Sequence, residues 1–187
     1  MTATRRHGAE LVDAIHQAVL AEMAEHGYAG TTYEGVAARA GTSKTVLYRR
    51  WPRKAEMALD ALMESSPDPV IPADTGSLSG DLKALLRAMH STMERAGRQT
   101  MLSLLAELDR PAAELLFIRG SAFLEPLLAR ARGRGELGPG AVPPRMVTMA
   151  LDLVRHEVLI VGSLTEDSID MIVDEMTIPL LRARSMA

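Results

Sequence analysis

TTYEGVAARAGTSKTVLYRRWPRK, residues 31–54, decides the fold. It reads as two short helices joined by a tight turn and closed by a block of cations. Taking Thr31 as the cap of the first helix puts Glu34 three residues on, the spacing of a capping box. That helix runs to about Ala40, with Val36, Ala37 and Ala40 on one face, where alanine lets a second helix come close. Gly41 can adopt the positive φ needed just past a helix end. Thr42 or Ser43 caps the second helix, which passes through Lys44, Val46, Leu47 and Tyr48 to about Arg50. Two short helices around a Gly-containing turn make a helix-turn-helix.

The charges suit a polyanionic partner. Arg39, Lys44, Arg49, Arg50, Arg53 and Lys54 fall in sixteen residues without an Asp or Glu. This local +6 stands in a chain of net charge −3, so the remainder carries −9. In a helix-turn-helix the second helix lies in the DNA major groove with its N-terminal residues towards base edges, and a local basic patch is the footprint of phosphate contact.

As it stands from Thr31 to Lys54, the pattern T-T-x-x-x-V-A-x-x-A-G-x-S-K-x-x-L-Y-R-R-W-x-x-K resembles the N-terminal domain of TetR-type (TetR/AcrR-like) transcriptional regulators. The resemblance is dense over roughly residues 9–62. Beyond them only the element lengths and RGEL, Arg134–Leu137, are similar. It implies an all-α chain: a three-helix helix-turn-helix domain followed by a helical ligand-binding and dimerisation domain. It also implies that Lys54 clamps the DNA backbone, that the Tyr48 hydroxyl meets a phosphate, and that an N-terminal arm (residues 1–7, with Arg5 and Arg6) can reach DNA. On the motif's docking geometry, Lys44 and Thr45 are placed for base edges, and Thr32, Tyr33, Tyr48 and Lys54 for phosphates. Thr42, Ser43 and Arg49 complete the candidate DNA-binding set. Val46 could touch a thymine methyl or simply pack.

Outward from this motif, Leu11, Ile15, Ala18, Val19 and Met23 form one apolar stripe on a helix over residues 10–26, stopped at Gly27, with Tyr28 folding back. His16 and His26 are expected at the surface. Trp51 is expected inside the small domain. A fourth helix is expected over residues 52–64, with Pro52 in its first turn. The proline- and glycine-rich stretch 65–80 reads as a linker, dividing a DNA-binding domain (1–64) from a regulatory and dimerisation domain (81–187).

The second half reads as helical throughout. Expected helices cover 81–96, then 98–108, whose broad apolar stripe implies burial on more than one side. The next runs from a cap at Asp109 to about Arg134, with a kink or break near Gly120 and Pro126. The last two cover 144–161, stopped at Gly162, and 165–181, capped by Thr165 or Asp167. By resemblance, the closing segments 144–162 and 165–182 pair with those of a second copy. A two-fold dimer reads a near-palindromic operator.

At 187 residues and 47% apolar content the chain is long enough for a large core. The absence of cysteine excludes disulfides, zinc fingers and thiol nucleophiles and fits a cytoplasmic setting. No apolar run approaches the ~20 residues that span a bilayer, so no membrane partner is expected. No phosphate-binding glycine loop, nucleophile elbow or Glu-x-x-His pair appears. Catalysis, cofactors and metal ligands are therefore not expected. A small apolar effector is, with Met93, Met101, Leu105, Phe117, Phe123 and Met149 as candidate lining and His90 and His156 as candidate polar contacts. The same stripes also serve as plain core. The reading is a homodimeric repressor released by such a ligand; its rival is an all-helical dimeric binding module without specific DNA binding.

Overall fold

In the computed structural model, residues 8–64, 73–107 and 110–186 are described, with the backbone alone for 110–120. Among them the secondary structure is helical and no strand occurs. The expected arm, the cap at Asp109 and the side chain of Phe117 lie outside the described residues, as do Leu108 and part of the expected linker.

The chain forms two compact units. The first contains α1 (Ala9–Gly30), α2 (Tyr33–Ala40), α3 (Lys44–Arg50), α4 (Lys54–Glu64) and the bulk of α6 (Arg98–Glu107). The second contains α5 (Leu78–Ala96), α7 (Arg110–Gly133), α8 (Pro144–His156), α9 (Glu166–Asp170) and α10 (Ile178–Ser185). A helix boundary placed at residue 81 thus moves to Leu78, where the Ser77 side chain accepts the Gly80 N–H.

In the first unit α1 packs on both α2 and α4. Its stripe buries Ile15, Ala18 and Val19 against Val36, Ala37 and Ala40 of α2, and Ala55, Met57, Ala58 and Ala61 of α4. The run of alanines lets these axes approach closely, because a methyl is all that stands between backbones. Gly27 breaks α1 with φ 68°, and Tyr28 turns back to be buried. His16 contradicts the sequence expectation: it is buried, and its Nε2 meets Asp60 Oδ2 of α4 at 3.3 Å. It stands one residue after Ile15 on the stripe, so packing against α4 takes it inward, and Asp60 supplies the polar partner that burial requires.

The second unit is held by Leu78, Leu82, Leu85 and Leu86 of α5, Leu124, Leu127, Leu128 and Ala131 of α7, and the inward faces of α8 to α10. α7 continues as one helix through Gly120 and Pro126, so the expected break there does not occur. The residue four before the proline, Ala122, is exposed, so water can take the carbonyl left without a donor. Nor is α6 buried on several sides: only Leu104 is fully covered. α8 continues as a π-helical turn (Glu157–Val161) ending at Gly162, and a second π segment (Met171–Thr177) joins α9 to α10. Of the two expected caps, Thr165 and Asp167, it is Thr165 that caps α9, accepting the Ser168 N–H.

One charged cluster locks this unit. Asp81 is fully buried and accepts from the Thr75 N–H and hydroxyl, each at 2.8 Å, and from Arg134 at 3.0 Å. Burial alone would raise its carboxyl. The Thr75 and Arg134 hydrogen bonds, helped by the Arg130 charge, overcome this and hold it below the ordinary value of 3.8. A carboxylate depressed in the folded state stabilises fully above its unfolded value, and that contribution disappears as pH falls through the folded value. Urea unfolding should therefore show a stability decline below about pH 4 that Asp81→Asn makes shallower, alongside a loss of stability at neutral pH.

Candidate DNA-binding interface

The helix-turn-helix forms as its residues dictate, with one change of register. Thr32, not Thr31, caps α2, its hydroxyl accepting the Gly35 N–H at 3.1 Å. Thr31 is buried and donates its hydroxyl to the Gly27 carbonyl, closing α1 instead. Glu34 is thereby released from the capping box and pairs with Lys44 across the turn. Gly41 takes φ 66° and ψ 37°, and the Thr42 N–H reaches the Ala37 carbonyl at 3.0 Å, so the left-handed turn closes α2.

α3 is seven residues long, too short to be stable alone in water. It buries Leu47 alone. Three further contacts hold it. Tyr48 stacks on Tyr33 with ring centroids 4.1 Å apart. Trp51, just past its end, is buried and donates its indole N–H to Asp60 at 3.0 Å. The Trp51 carbonyl accepts the Tyr33 hydroxyl at 2.8 Å. Everything else on α3 faces outward: Lys44, Thr45, Tyr48, Arg49 and Arg50 are exposed, as is Ser43 before it, with Thr42 and Val46 half-covered.

Tyr33 therefore corrects the sequence assignment. Its side chain is buried and its hydroxyl is spent on Trp51, so it supports the recognition helix from behind. Burial, with the neighbouring Tyr48 and Glu56, pushes its hydroxyl up to about 12. Tyr48 stays half-exposed. Thr32 is exposed but its hydroxyl caps α2.

The cations divide by partner. Arg39 is absorbed internally, bridging buried Glu22 at 3.0 Å and Glu25 at 2.6 Å. That same Glu22 carboxylate lies against Gly35, where a Cβ would fall 2.4 Å from its Oε2, so a larger residue at 35 would have to displace the Glu22 side chain. Arg49 carries no ion pair among the described residues, and Arg50 lies over the Trp51 ring at 5.2 Å. Lys54 donates to the Tyr28 carbonyl at 3.0 Å and sits over the Tyr28 ring at 4.3 Å. Among the described residues its ammonium is held in place by carbonyls and a ring rather than by a carboxylate. Tyr28 in turn donates its hydroxyl to Glu107 of α6 at 2.6 Å. Sequence reading missed this brace, because 79 residues separate the partners.

The candidate effector residues are divided between the two units. Met101 and Leu105 belong to the first unit, half-covered; His90, Met93, Phe123, Met149 and His156 belong to the second. Met93 is buried core, and His156 is exposed. His90 pairs with Glu94 one turn on at 3.5 Å. Among the described residues no group of three His, Cys, Asp or Glu is placed to hold a metal, and no helix is long and apolar enough to cross a membrane.

A short helix displayed almost wholly to solvent on a compact three-helix support, with exposed Arg49 and Arg50 in its last turn, defines a helix-turn-helix DNA-binding unit. Comparison with known proteins agrees. Residues 15–61 match the model described as bacterial regulatory proteins, tetR family, and residues 72–176 match the tetracyclin repressor-like C-terminal domain. A protein named an uncharacterized HTH-type transcriptional regulator of Mycobacterium tuberculosis is 31% identical over 84% of this chain and 81% of its own. A DNA-binding transcriptional repressor TetR of Mycobacteroides abscessus is 31% identical over 83% and 86%. The crystal structure of the TetR family transcription regulator SCO0332 superposes with a TM-score of 0.68 at 30% identity, covering 90% of this chain and 95% of that one. The chain belongs to the TetR family of DNA-binding transcriptional regulators.

The two stacked tyrosines should separate by experiment. Tyr33→Phe should cost about 1 kcal/mol in urea unfolding, because it strips the Trp51 carbonyl of its donor. Tyr48→Phe should leave stability within about 0.5 kcal/mol and weaken DNA binding instead.

Proposed function

We propose that this regulator is a homodimeric repressor that holds a near-palindromic operator and is released by a small apolar ligand. The observation that carries the DNA half of this reading is α3 itself: it buries Leu47 alone and offers Lys44, Thr45, Tyr48 and Arg49 outward. A helix with so little of its own surface in the core is there to be read by a partner. Lys44 and Thr45, at its N-terminal end, take base edges; Tyr48, Arg49 and Lys54 take phosphates, with Thr42 and Ser43 at the turn.

Dimerisation is supported by the closing helices. Ile160, Val161, Met171, Met176 and Leu180 are exposed apolar side chains on or beside the π segments. They lie within 144–162 and 165–182, and a second copy would cover them. Repression is supported by the name of the Mycobacteroides abscessus relative. Release by ligand requires that the ligand bind the two states with different affinity. The Tyr28–Glu107 brace ties α6 to the base of the DNA-binding unit and is a contact such a ligand could bias.

The deciding experiment is selection from a pool of random duplexes by the full chain at two salt concentrations. A near-palindrome with half-sites one or more helical turns apart is expected; no enrichment would defeat specific recognition. Lys54→Ala should weaken binding to all sequences and flatten the log–log salt slope by about 0.9. Lys44→Ala should instead relax preference at particular base pairs. Met171→Lys should shift sedimentation towards monomer at micromolar concentration.

A further inference from the structure

The basic block from Arg39 to Lys54 contains no acid, yet a carboxylate reaches it from outside. Glu34, in the first turn of α2, forms an ion pair with Lys44, the first residue of α3. Both side chains are at least half exposed, at 63% and 50%. The pair spans the turn, ten residues apart in sequence. It does not cap α2, since Thr32 does that, and it does not cap α3, since no side chain bonds that helix's free N–H groups. Nor does it serve burial, since neither partner is covered. An exposed pair of this kind contributes little to stability, and a lysine at the positive end of a helix is unfavourable on its own. What the pair does control is the charge and direction of the cation best placed for base edges.

We propose that Glu34 is a specificity-determining positioning residue, whose carboxylate holds the Lys44 ammonium in a charge-neutral pair so that it reads base-edge acceptors in the major groove rather than neutralising phosphates. The inference rests on the reading that α3 enters the groove. An ammonium has three N–H donors; Glu34 takes one and fixes the direction of the others. Guanine O6 and N7 are the acceptors that suit them. The held cation carries little net attraction for a phosphate, and the carboxylate beside it repels one. Non-specific binding, which is mostly phosphate neutralisation, is therefore suppressed at this position, while hydrogen bonding to a matching base is retained.

The test uses full-length wild type, Glu34→Gln, Lys44→Gln and the double variant. Thermal unfolding first establishes that all four are folded. Binding to a random-sequence 30-base-pair duplex is then measured across a salt series, and each protein selects from the random pool. Glu34→Gln should bind the random duplex about three- to tenfold more tightly at low salt, with a log–log slope steeper by about 0.9, because Lys44 is freed to neutralise one more phosphate. Its selected site should lose definition at the same base pairs that Lys44→Gln blurs. In the Lys44→Gln background the Glu34 substitution should have no more than a small effect. The proposal is overturned if Glu34→Gln leaves random-duplex affinity unchanged or lowers it. It is equally overturned if the gain is as large without Lys44, which would make Glu34 a bulk charge. A wild type that selects no site would instead bring down the underlying groove reading, and this inference with it.

Discussion

The DNA-binding unit depends on Trp51. Its indole reaches Asp60 of α4, which His16 of α1 also contacts, and its carbonyl receives the Tyr33 hydroxyl of α2. One residue at the end of α3 is thus tied to each of the other three helices. A seven-residue helix cannot stand by its own hydrogen bonds, and Leu47 supplies only about 2 kcal/mol of burial. Each hydrogen bond to Trp51 adds about 1 kcal/mol, and, more to the point, each fixes orientation. α3 can therefore leave nearly all its side chains unburied and still hold one pose, as recognition of a rigid duplex groove demands.

The same economy governs the charges. The six cations of the basic block are not equivalent once folded. Arg39 is bound by Glu22 and Glu25 and holds α2 to α1. Lys44 is paired with Glu34, and Lys54 is held by carbonyls and an aromatic face. A carbonyl or a ring positions an ammonium without cancelling its charge, whereas a carboxylate cancels it. Counting residues of one sign therefore overstates the attraction for phosphate, and the choice of partner sorts cations into those that position and those that attract.

The hydrogen bond from Tyr28 to Glu107 ties α6 into the same unit. Tyr28 offers its hydroxyl to α6 and its carbonyl and ring to Lys54. Burial and the Glu107 carboxylate push that hydroxyl well above the ordinary tyrosine value, so it stays protonated and donates throughout the physiological range.

The sequence by itself determined what local rules can reach. The glycine turn at Gly41, the helix stops at Gly27 and Gly162 and the apolar stripes follow from backbone sterics and periodicity. Those features, with the motif from Thr31 to Lys54, sufficed for an all-helical regulator with a helix-turn-helix. Tertiary structure decided the rest, because burial and pairing are properties of neighbours distant in the chain. Only the packing of α1 on α4 took His16 inside. Only the contact with Trp51 turned Tyr33 from a phosphate ligand into a support. A cap displaced by one residue, from Thr31 to Thr32, was enough to free Glu34 for Lys44. The candidate effector residues were the least legible, because a methionine or leucine stripe has the same period whether it fills a core or lines a cavity.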